Sequence, residues 1–152
     1  IEIDENNQNY RIVKDGGICD GNKVEALYNK AGNIFISPIK PNDIIKTYEI
    51  PEEITIGTEK VTVTEIATYA FHNQAVMTDI KLPNKIEKIG GAFNYCNGLT
   101  KIEIPNSIKE IGTGCFSNCP NLIKIRVHKK RGEVAGDPWG CIYGDKAIIW
   151  DE

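Results

Sequence analysis

Sulfur and imidazole are the side-chain groups of this 152-residue chain that could do covalent or metal chemistry. The chain holds five cysteines and two histidines, which are Cys19, Cys96, Cys115, Cys119, Cys141, His72 and His128. No C-x-x-C pair occurs, and two histidines do not complete a zinc cluster at this spacing. Cys119 as a nucleophile with His72 as its base is the enzymatic arrangement that these residue types suggest. We expect no metal site and no cofactor.

The sulfur positions belong to a repeat. Phe71, Phe93 and Phe116 lie 22 and 23 residues apart. The apolar positions that follow them in step are Met77, Leu99 and Leu122, then Ile80, Ile102 and Ile125, then Leu82, Ile104 and Val127. Self-similarity at such a period is typical of a solenoid. Cys96 and Cys119 recur three residues after their phenylalanines, and a recurring residue is more simply a packing residue than a nucleophile.

Two interpretations of Cys96 and Cys119 follow from their shared repeat position. They form a pair of buried thiols, since free cysteine packs as a small hydrophobe and is among the residues most often buried. Alternatively they form a disulfide between adjacent coils, whose spacing lies within the Cα range of disulfides. We favour buried thiols. No Gly-rich phosphate loop, H-E-x-x-H or G-x-S-x-G occurs, so we predict that the chain is not an enzyme.

Each repeat predicts short strands joined by turns. Residues 99–104 alternate, so their isoleucines face the core while Lys101 and Glu103 face solvent. Residues 108–111 mark a second short side, and residues 92–96 predict one helical turn with the phenylalanine directed inward. Neither piece buries its apolar face alone, so stacked neighbours must supply the core.

Stacking also aligns exposed charges in rows. The predicted rows are Glu49, Lys81, Glu103 and Arg126 on one side, and Glu65, Lys88 and Glu110 on the other, beside Glu87 and Lys109. Opposite charges on neighbouring strands favour the register by up to about 1 kcal/mol each. We therefore expect both faces to be self-neutralised. With a net charge of −3 and no single-sign field, nucleic acid is not an expected partner.

The exposed strand residues are the candidate binding site, because repeat proteins bind through side chains on the open sheet face. These residues are Asp79, Lys81, Lys101, Glu103, Lys124 and Arg126. A solvated, charge-paired face without a ligand is the competing interpretation. The basic run of residues 128–131 is interpreted as a solvated turn.

The predicted organisation is one domain in three parts. Residues 1–44 lack the repeat and form an N-terminal β cap, residues 45–128 hold the repeats with a β-hairpin inserted near 55–64, and residues 129–152 form a C-terminal cap strand region. The chain begins with neither methionine nor a signal-like segment, so we interpret it as a mature or excised fragment. No apolar run reaches the length of a membrane span, so no membrane insertion is expected within it.

The units I-x-x-I-x-x-x-A-F-x-x-C-x-x-L-x-x-I-x-I-P-x-x-I resemble the leucine-rich repeats of the BspA-like family, found on bacterial and some protist surfaces. The residues that carry the likeness are Ile86, Ile89, Ala92, Phe93, Cys96, Leu99, Ile102, Ile104, Pro105 and Ile108, with their counterparts through Val127. Residues 136–140 with 147–150 are similar to a strand-forming Pro-Trp-Gly element that follows such arrays in surface proteins of Gram-positive gut bacteria. The chain departs from the pattern where residues 72–75 lack the cysteine, where Cys115 replaces alanine and where His128 replaces proline.

The resemblance implies a right-handed leucine-rich-repeat stack of short parallel β-strands with single helical turns, capped at both ends by β-structure. It also implies an extracellular protein-binding or adhesion module on a bacterial cell surface, with a host matrix or cell-surface protein as partner. A structural spacer or stalk of a larger surface protein, with no ligand of its own, is the alternative. No oligomeric state follows from the pattern.

Overall fold

The chain folds as a parallel β-solenoid of about three turns in this computed structural model, as the repeat predicts. The structure describes residues 47–56, 58–66, 68, 70–141 and 144–152, together with the backbone of four earlier strands; of residues 54–56, 59, 61, 145 and 146 it likewise describes only the backbone. In chain order the strands are β1 (Glu2–Ile3), β2 (Arg11–Lys14), β3 (Ala26–Tyr28), β4 (Ile34–Phe35), β5 (Thr47–Glu49), β6 (Glu53–Ile56), β7 (Glu59–Thr62), β8 (Glu65–Ile66), β9 (Asp79–Lys81), β10 (Lys88–Ile89), β11 (Lys101–Ile104), β12 (Glu110–Ile111), β13 (Lys124–Val127) and β14 (Ile148–Trp150). Cys19 lies outside the described residues.

The first side of the coils carries β5, β9, β11, β13 and β14. All pairings on this side are parallel and keep the repeat register: β5 with β9, β11 with β13, and β13 with β14. No pairing joins β9 to β11, so this side consists of a two-stranded and a three-stranded sheet. In β11 the alternation is as predicted, with the isoleucines buried and Lys101 and Glu103 exposed.

The second side is a continuous sheet. Strands β8, β10 and β12 pair in parallel, and the ladder extends beyond β8 through β4, β3, β2 and β1. The N-terminal strands thus lengthen this side, with β4 parallel to β8 at the pair Phe35 and Glu65. Pairing at this edge satisfies backbone groups that an open first coil would leave exposed.

The third side is held by hydrogen bonds between coils rather than by helical turns. The Phe93 N–H donates to the Cys115 carbonyl of the next coil at 2.9 Å, and the Tyr95 N–H donates to the Ser117 carbonyl at 2.9 Å. Residues 92–96 therefore contain turns, and the predicted helical turn does not form. The Cys96 N–H bonds within its own coil, to the Phe93 carbonyl at 3.3 Å, and this closes a single turn rather than a helix. The one helical element among the described residues is the 3₁₀ turn Gly144–Ala147.

An aromatic column fills the core. The phenylalanines at the repeat position are fully buried and stacked, with ring centroids 5.3 Å apart between Phe71 and Phe93 and 5.7 Å apart between Phe93 and Phe116. Tyr48 packs edge-on against Phe71 at one end, and Trp139 against Phe116 at the other. The inward direction predicted for the phenylalanines is confirmed.

Glycine permits the close stacking of the second side. Gly90 lies so near Thr68 of the preceding coil that a Cβ atom would stand 2.6 Å from the Thr68 nitrogen. Gly112, one repeat later, would place a Cβ 3.0 Å from the Gly90 carbonyl carbon. Both positions are glycine because only a residue without a side chain fits between the coils.

Two further elements flank the repeats. Strands β6 and β7 form an antiparallel hairpin, where the alternation predicts one. After β13, Ala135 bridges in parallel to Glu110, and the Trp139 indole N–H donates to the Ala135 carbonyl at 2.8 Å. Trp139 in turn packs against Trp150 of β14. Capping roles for these segments, and the boundaries at 44 and 128, stay predictions.

Within the part of the chain that the structure describes, no helix is long and apolar enough to cross a membrane.

Candidate functional site

The six predicted site residues all lie on the outward face of β9, β11 and β13. We call the outward face of β5, β9, β11, β13 and β14 the strand face. The side chains of Asp79, Lys81, Lys101, Glu103 and Lys124 are exposed, and Arg126 is half-buried. Repeat periodicity brings them together because equivalent residues of successive coils stack on neighbouring strands. The alternation of each strand then directs them away from the core.

The strand face is interrupted between β9 and β11, at a place that we call the seam. Lys81 turns its carbonyl away from the seam, toward β5, where it accepts a 3.0 Å hydrogen bond from the Ile50 N–H. Since consecutive strand residues direct their N–H and C=O groups to opposite edges, Ile80 directs its groups toward β11.

The same alternation applies to β11, on the other side of the seam. The Thr100 and Ile104 carbonyls accept hydrogen bonds from the coil of β13 at 3.1 and 3.0 Å. Lys101 and Glu103 lie between these two residues, at the alternate positions of the strand. Their backbone groups are therefore directed toward β9. Because no ladder pairs β9 with β11, polar backbone groups of both strands are available at the seam.

A groove of about 400 Å³ lies over the seam. Its aliphatic lining comes from Ile80, Leu82, Ile102 and Pro105, and its polar lining from Asp79, Lys81, Asn84, Lys101, Glu103 and His128. Four of the six predicted site residues thus line one groove, whereas Lys124 and Arg126 lie beyond it on β13. Ile80, Leu82 and Ile102 are buried on the core side, so the groove exposes polar and apolar surface in about equal parts. Apolar surface with convergent polar groups is the usual composition of a binding pocket.

The charges on the strand face pair differently from the predicted row. Glu49 and Lys81 do pair, at 3.4 Å. Glu103 and Arg126 are register partners, but the Arg126 guanidinium binds Asp151 at 2.5 Å. Glu103 instead lies 3.7 Å from the His128 imidazole. The register of the predicted row is therefore confirmed within each sheet, for Glu49 with Lys81 and for Glu103 with Arg126, but the seam separates Lys81 from Glu103. The predicted ion pair between Glu103 and Arg126 is wrong, because the carboxylate that follows β14 reaches the guanidinium.

Two lysines contradict the expectation of a self-neutralised strand face. Lys101 and Lys124 are direct register partners on β11 and β13, and both are exposed. Among the described residues neither ammonium group has an ion-pair partner within 4.0 Å. Asp79, at the equivalent position of β9, is separated from Lys101 by the seam. Like charges directly opposite one another destabilise strand pairing, so this pair of lysines, the lysine doublet, is not explained by stability.

The second side shows the predicted charge pattern. Glu65, Lys88 and Glu110 are register partners on β8, β10 and β12. Beside them Lys109 binds Glu87 at 3.1 Å. This side of the solenoid is therefore charge-matched along the described strands.

The structure does not assemble the thiol chemistry that the sequence suggested for Cys119. Its Sγ donates to the Phe93 carbonyl at 2.9 Å, while the His72 Nδ1 pairs with the Asn94 side chain at 2.8 Å. No thiol–imidazole pair is present in the described part of the chain. There too, no three His, Cys, Asp or Glu residues are placed to hold a metal ion.

The described cysteines are free thiols, so the preferred interpretation of Cys96 and Cys119 is confirmed and the disulfide is not formed. The Cys96 Sγ donates to the Phe71 carbonyl at 3.0 Å, which repeats the Cys119 bond one coil earlier. Burial raises the pKa of Cys96 well above its ordinary value, and raises that of Cys115 to about 12. Cys141, half-buried, has its pKa raised by burial to about 11. Protonated thiols are poor nucleophiles.

Three members of these clusters are not among the site residues predicted from the sequence. His128 and Asn84 line the groove, and Cys141 stands 22 residues after Cys119, which continues the column of thiols. The sequence contains a feature that marks two of these three residues. His128 occupies the position where the preceding repeats have proline, and the spacing of Cys141 equals one repeat.

Comparison with known proteins shows a similarity of the repeats to one family. Residues 64–135 match the family described as "BspA type Leucine rich repeat region", in six copies. The chain matches no curated protein and no solved structure.

Proposed function

We propose that this chain, whose repeats over residues 64–135 belong to the BspA-type leucine-rich repeat family, is a protein-binding module that works at a cell surface. Repeats of this family are generally interaction or structural modules rather than catalytic ones. The binding residues in this proposal are the six on the strand face: Asp79, Lys81, Lys101, Glu103, Lys124 and Arg126.

One observation carries the proposal. The strand face combines a groove over an interrupted ladder with a lysine doublet that has no ion-pair partner among the described residues, whereas the second side is continuous and charge-matched along its described strands. Like charges directly opposite one another cost free energy in the isolated protein, and a partner that pairs them recovers that cost. The asymmetry supports the strand face as the binding surface.

The location and partner belong to the same proposal. Proteins with BspA-like repeats are typically associated with bacterial surfaces, which supports an extracellular module with an adhesive role. Its partner would be a protein of the host matrix or of a cell surface. Protease treatment of intact producing cells checks the location, because a surface module is removed while cytoplasmic proteins are spared.

Binding to defined proteins tests the proposal. Purified extracellular-matrix proteins and soluble ectodomains are immobilised one by one and exposed to the chain in biolayer interferometry. The strand-face variant carries Lys101→Glu, Glu103→Lys and Lys124→Glu. The matched control carries Glu87→Lys, Lys88→Glu and Lys109→Glu on the second side. It lowers the net charge by the same amount and exchanges the signs of the pair between Lys109 and Glu87.

We expect at least one protein of the panel to bind, with an affinity that falls at least about tenfold in the strand-face variant. The control should bind within about twofold of the wild type. Equal losses in the two variants, or no binding to any protein of the panel, would overturn the proposal.

A structural spacer within a larger surface protein is the second candidate. The ion pairs Glu49–Lys81 and Lys109–Glu87 favour it, because a face that pairs its own charges needs no ligand. A spacer predicts that the complete protein binds its partners equally well when the strand-face variant replaces the wild-type repeats. A binding module predicts that such a replacement abolishes binding.

A further inference from the structure

The chemistry of the strand face indicates what kind of partner it takes, an inference that rests on the proposed function. The face is divided at the seam into two halves. In the half formed by β5 and β9, Lys81 forms an ion pair with Glu49. The half formed by β11, β13 and β14 carries the lysine doublet, Lys101 and Lys124. Neither ammonium group has an ion-pair partner among the residues that the structure describes.

The surroundings of the doublet are apolar as well as cationic. Ile149 of β14 is the register partner of Arg126, and 42% of its surface is exposed. Ile123, which precedes Lys124, is 66% exposed. A partner that matches this half must therefore present both carboxylates and apolar side chains.

The seam sets a limit on how the partner can bind. Cα atoms of β9 and β11 approach one another within 8 Å, whereas an inserted strand would separate them by about 9.6 Å, which is twice the strand spacing. A partner strand therefore does not enter the ladder. The groove of about 400 Å³ over the seam instead accommodates a single side chain between the exposed residues of β9 and β11.

We propose that the strand face binds an extended acidic segment of a protein partner, with one carboxylate bridging Lys101 and Lys124 and the apolar side chain two residues away, on the same face of the segment, in the groove. Lys101 takes part in both contacts because it lines the groove and also belongs to the doublet. The bound carboxylate removes the repulsion between the two ammonium groups, so binding and register support one another.

Amide NMR on the isotope-labelled full chain tests this inference. The probe is a short synthetic peptide in which glutamate and leucine take turns at every second position, separated by serine, so that both side chains lie on one face of the extended peptide. The glutamine–leucine and lysine–leucine peptides are its uncharged and charge-reversed controls. A sulfated heparin oligosaccharide tests whether any polyanion suffices. The amide spectrum of each variant shows at the same time that it is folded.

The expected result is a set of shift changes around residues 101, 124 and 149 with the acidic peptide only, weakened by salt. The K101E/K124E variant should bind at least about tenfold more weakly. The control K60E/K85E carries the same change in net charge at two exposed lysines that do not line the groove, and it should change the affinity by less than about twofold.

Three outcomes would overturn the inference. The glutamine–leucine peptide could cause shift changes as large as those of the acidic peptide, or the changes could centre on Lys88. The third outcome is that the oligosaccharide causes changes and the acidic peptide does not. Failure here is distinguishable from failure of the proposed function. If a matrix protein binds the wild type but not the strand-face variant, and the acidic peptide neither shifts the amides nor competes, only the acidic segment is wrong. If no matrix protein binds, the proposed function itself is wrong.

Discussion

The two β sides of the solenoid are built from the same repeats, yet they differ in continuity and in charge. The second side has an unbroken ladder across β8, β10 and β12, glycines that permit close approach, and matched charges. The strand face is interrupted between β9 and β11 and places two lysines opposite one another, neither of which has an ion-pair partner in the described part of the chain. Because both sides enclose one aromatic column, packing alone does not account for the difference. The surface that departs from the best pairing is the one expected to have a partner.

The largest expected effect concerns the column that the two sides share. Phe93→Ala removes a fully buried ring stacked between two others, and we expect it to destabilise the fold by roughly 3–5 kcal/mol. Tyr95→Ala, in the same coil but 47% exposed, should cost less than about 1 kcal/mol. Urea denaturation followed by circular dichroism measures both. Similar costs for the two variants would mean that the column does not carry the stability of the stack.

A second prediction tests the close approach on the second side. Gly90→Ala would place a methyl group 2.6 Å from the Thr68 nitrogen, so we expect overpacking to cost about 1–3 kcal/mol. Gly112→Ala, where the nearest backbone atoms lie 3.0 Å away, should cost less because a small shift relieves the contact. Thermal unfolding of the two variants gives this order, and the reverse order would contradict the stacking described for this side.

The buried thiols give a prediction for pH. Burial raises the pKa of Cys115 to about 12 from an ordinary value of 9.0, so the folded state keeps the proton where the unfolded chain loses it. Its contribution to stability is complete below pH 9.0 and is lost as the pH rises toward about 12.

The matched variant for this test is Cys115→Ala, since the preceding repeats carry Ala70 and Ala92 at that position. We expect the wild type to lose more stability than the variant between neutral and strongly alkaline pH, measured by urea denaturation at each pH. Parallel losses would contradict the assignment to Cys115.

The same burial orders the reactivity of the thiols. In the native fold at neutral pH, iodoacetamide should label half-buried Cys141 before Cys96, Cys115 and Cys119. Peptide mass spectrometry over a time course identifies the labelled site. Rapid labelling of Cys119 would contradict its burial and restore the possibility of a nucleophilic role.

The smallest effect bears directly on the comparison of the two sides. Lys124→Glu places a carboxylate opposite Lys101 and should stabilise the fold by up to about 1 kcal/mol. Lys109→Glu, which faces Glu87 on the second side, should destabilise it by a similar or smaller amount. If Lys124→Glu raises stability and abolishes partner binding, the lysine doublet is retained for binding. A stability loss in both variants would mean that the two sides do not differ in charge matching.

The sequence by itself determined the coil, its core and the register of its strands. Burial dictates these features, since an apolar residue at a wrong phase would face water over the whole stack. Phe93 and Ile102 could thus be placed from spacing alone, and so could Cys96 as a packing thiol. The positions of the six exposed site residues followed from the same alternation.

Only the tertiary structure decided how the polar groups are satisfied. The backbone of residues 92–96 bonds to the next coil instead of forming a helical turn, and Arg126 reaches Asp151 rather than Glu103. The seam and the lysine doublet likewise depend on how closely individual coils approach. Exposed charges and unpaired backbone groups gain little from any one partner in water. The repeat pattern therefore fixes where they stand, but the distances between coils determine which of them pair.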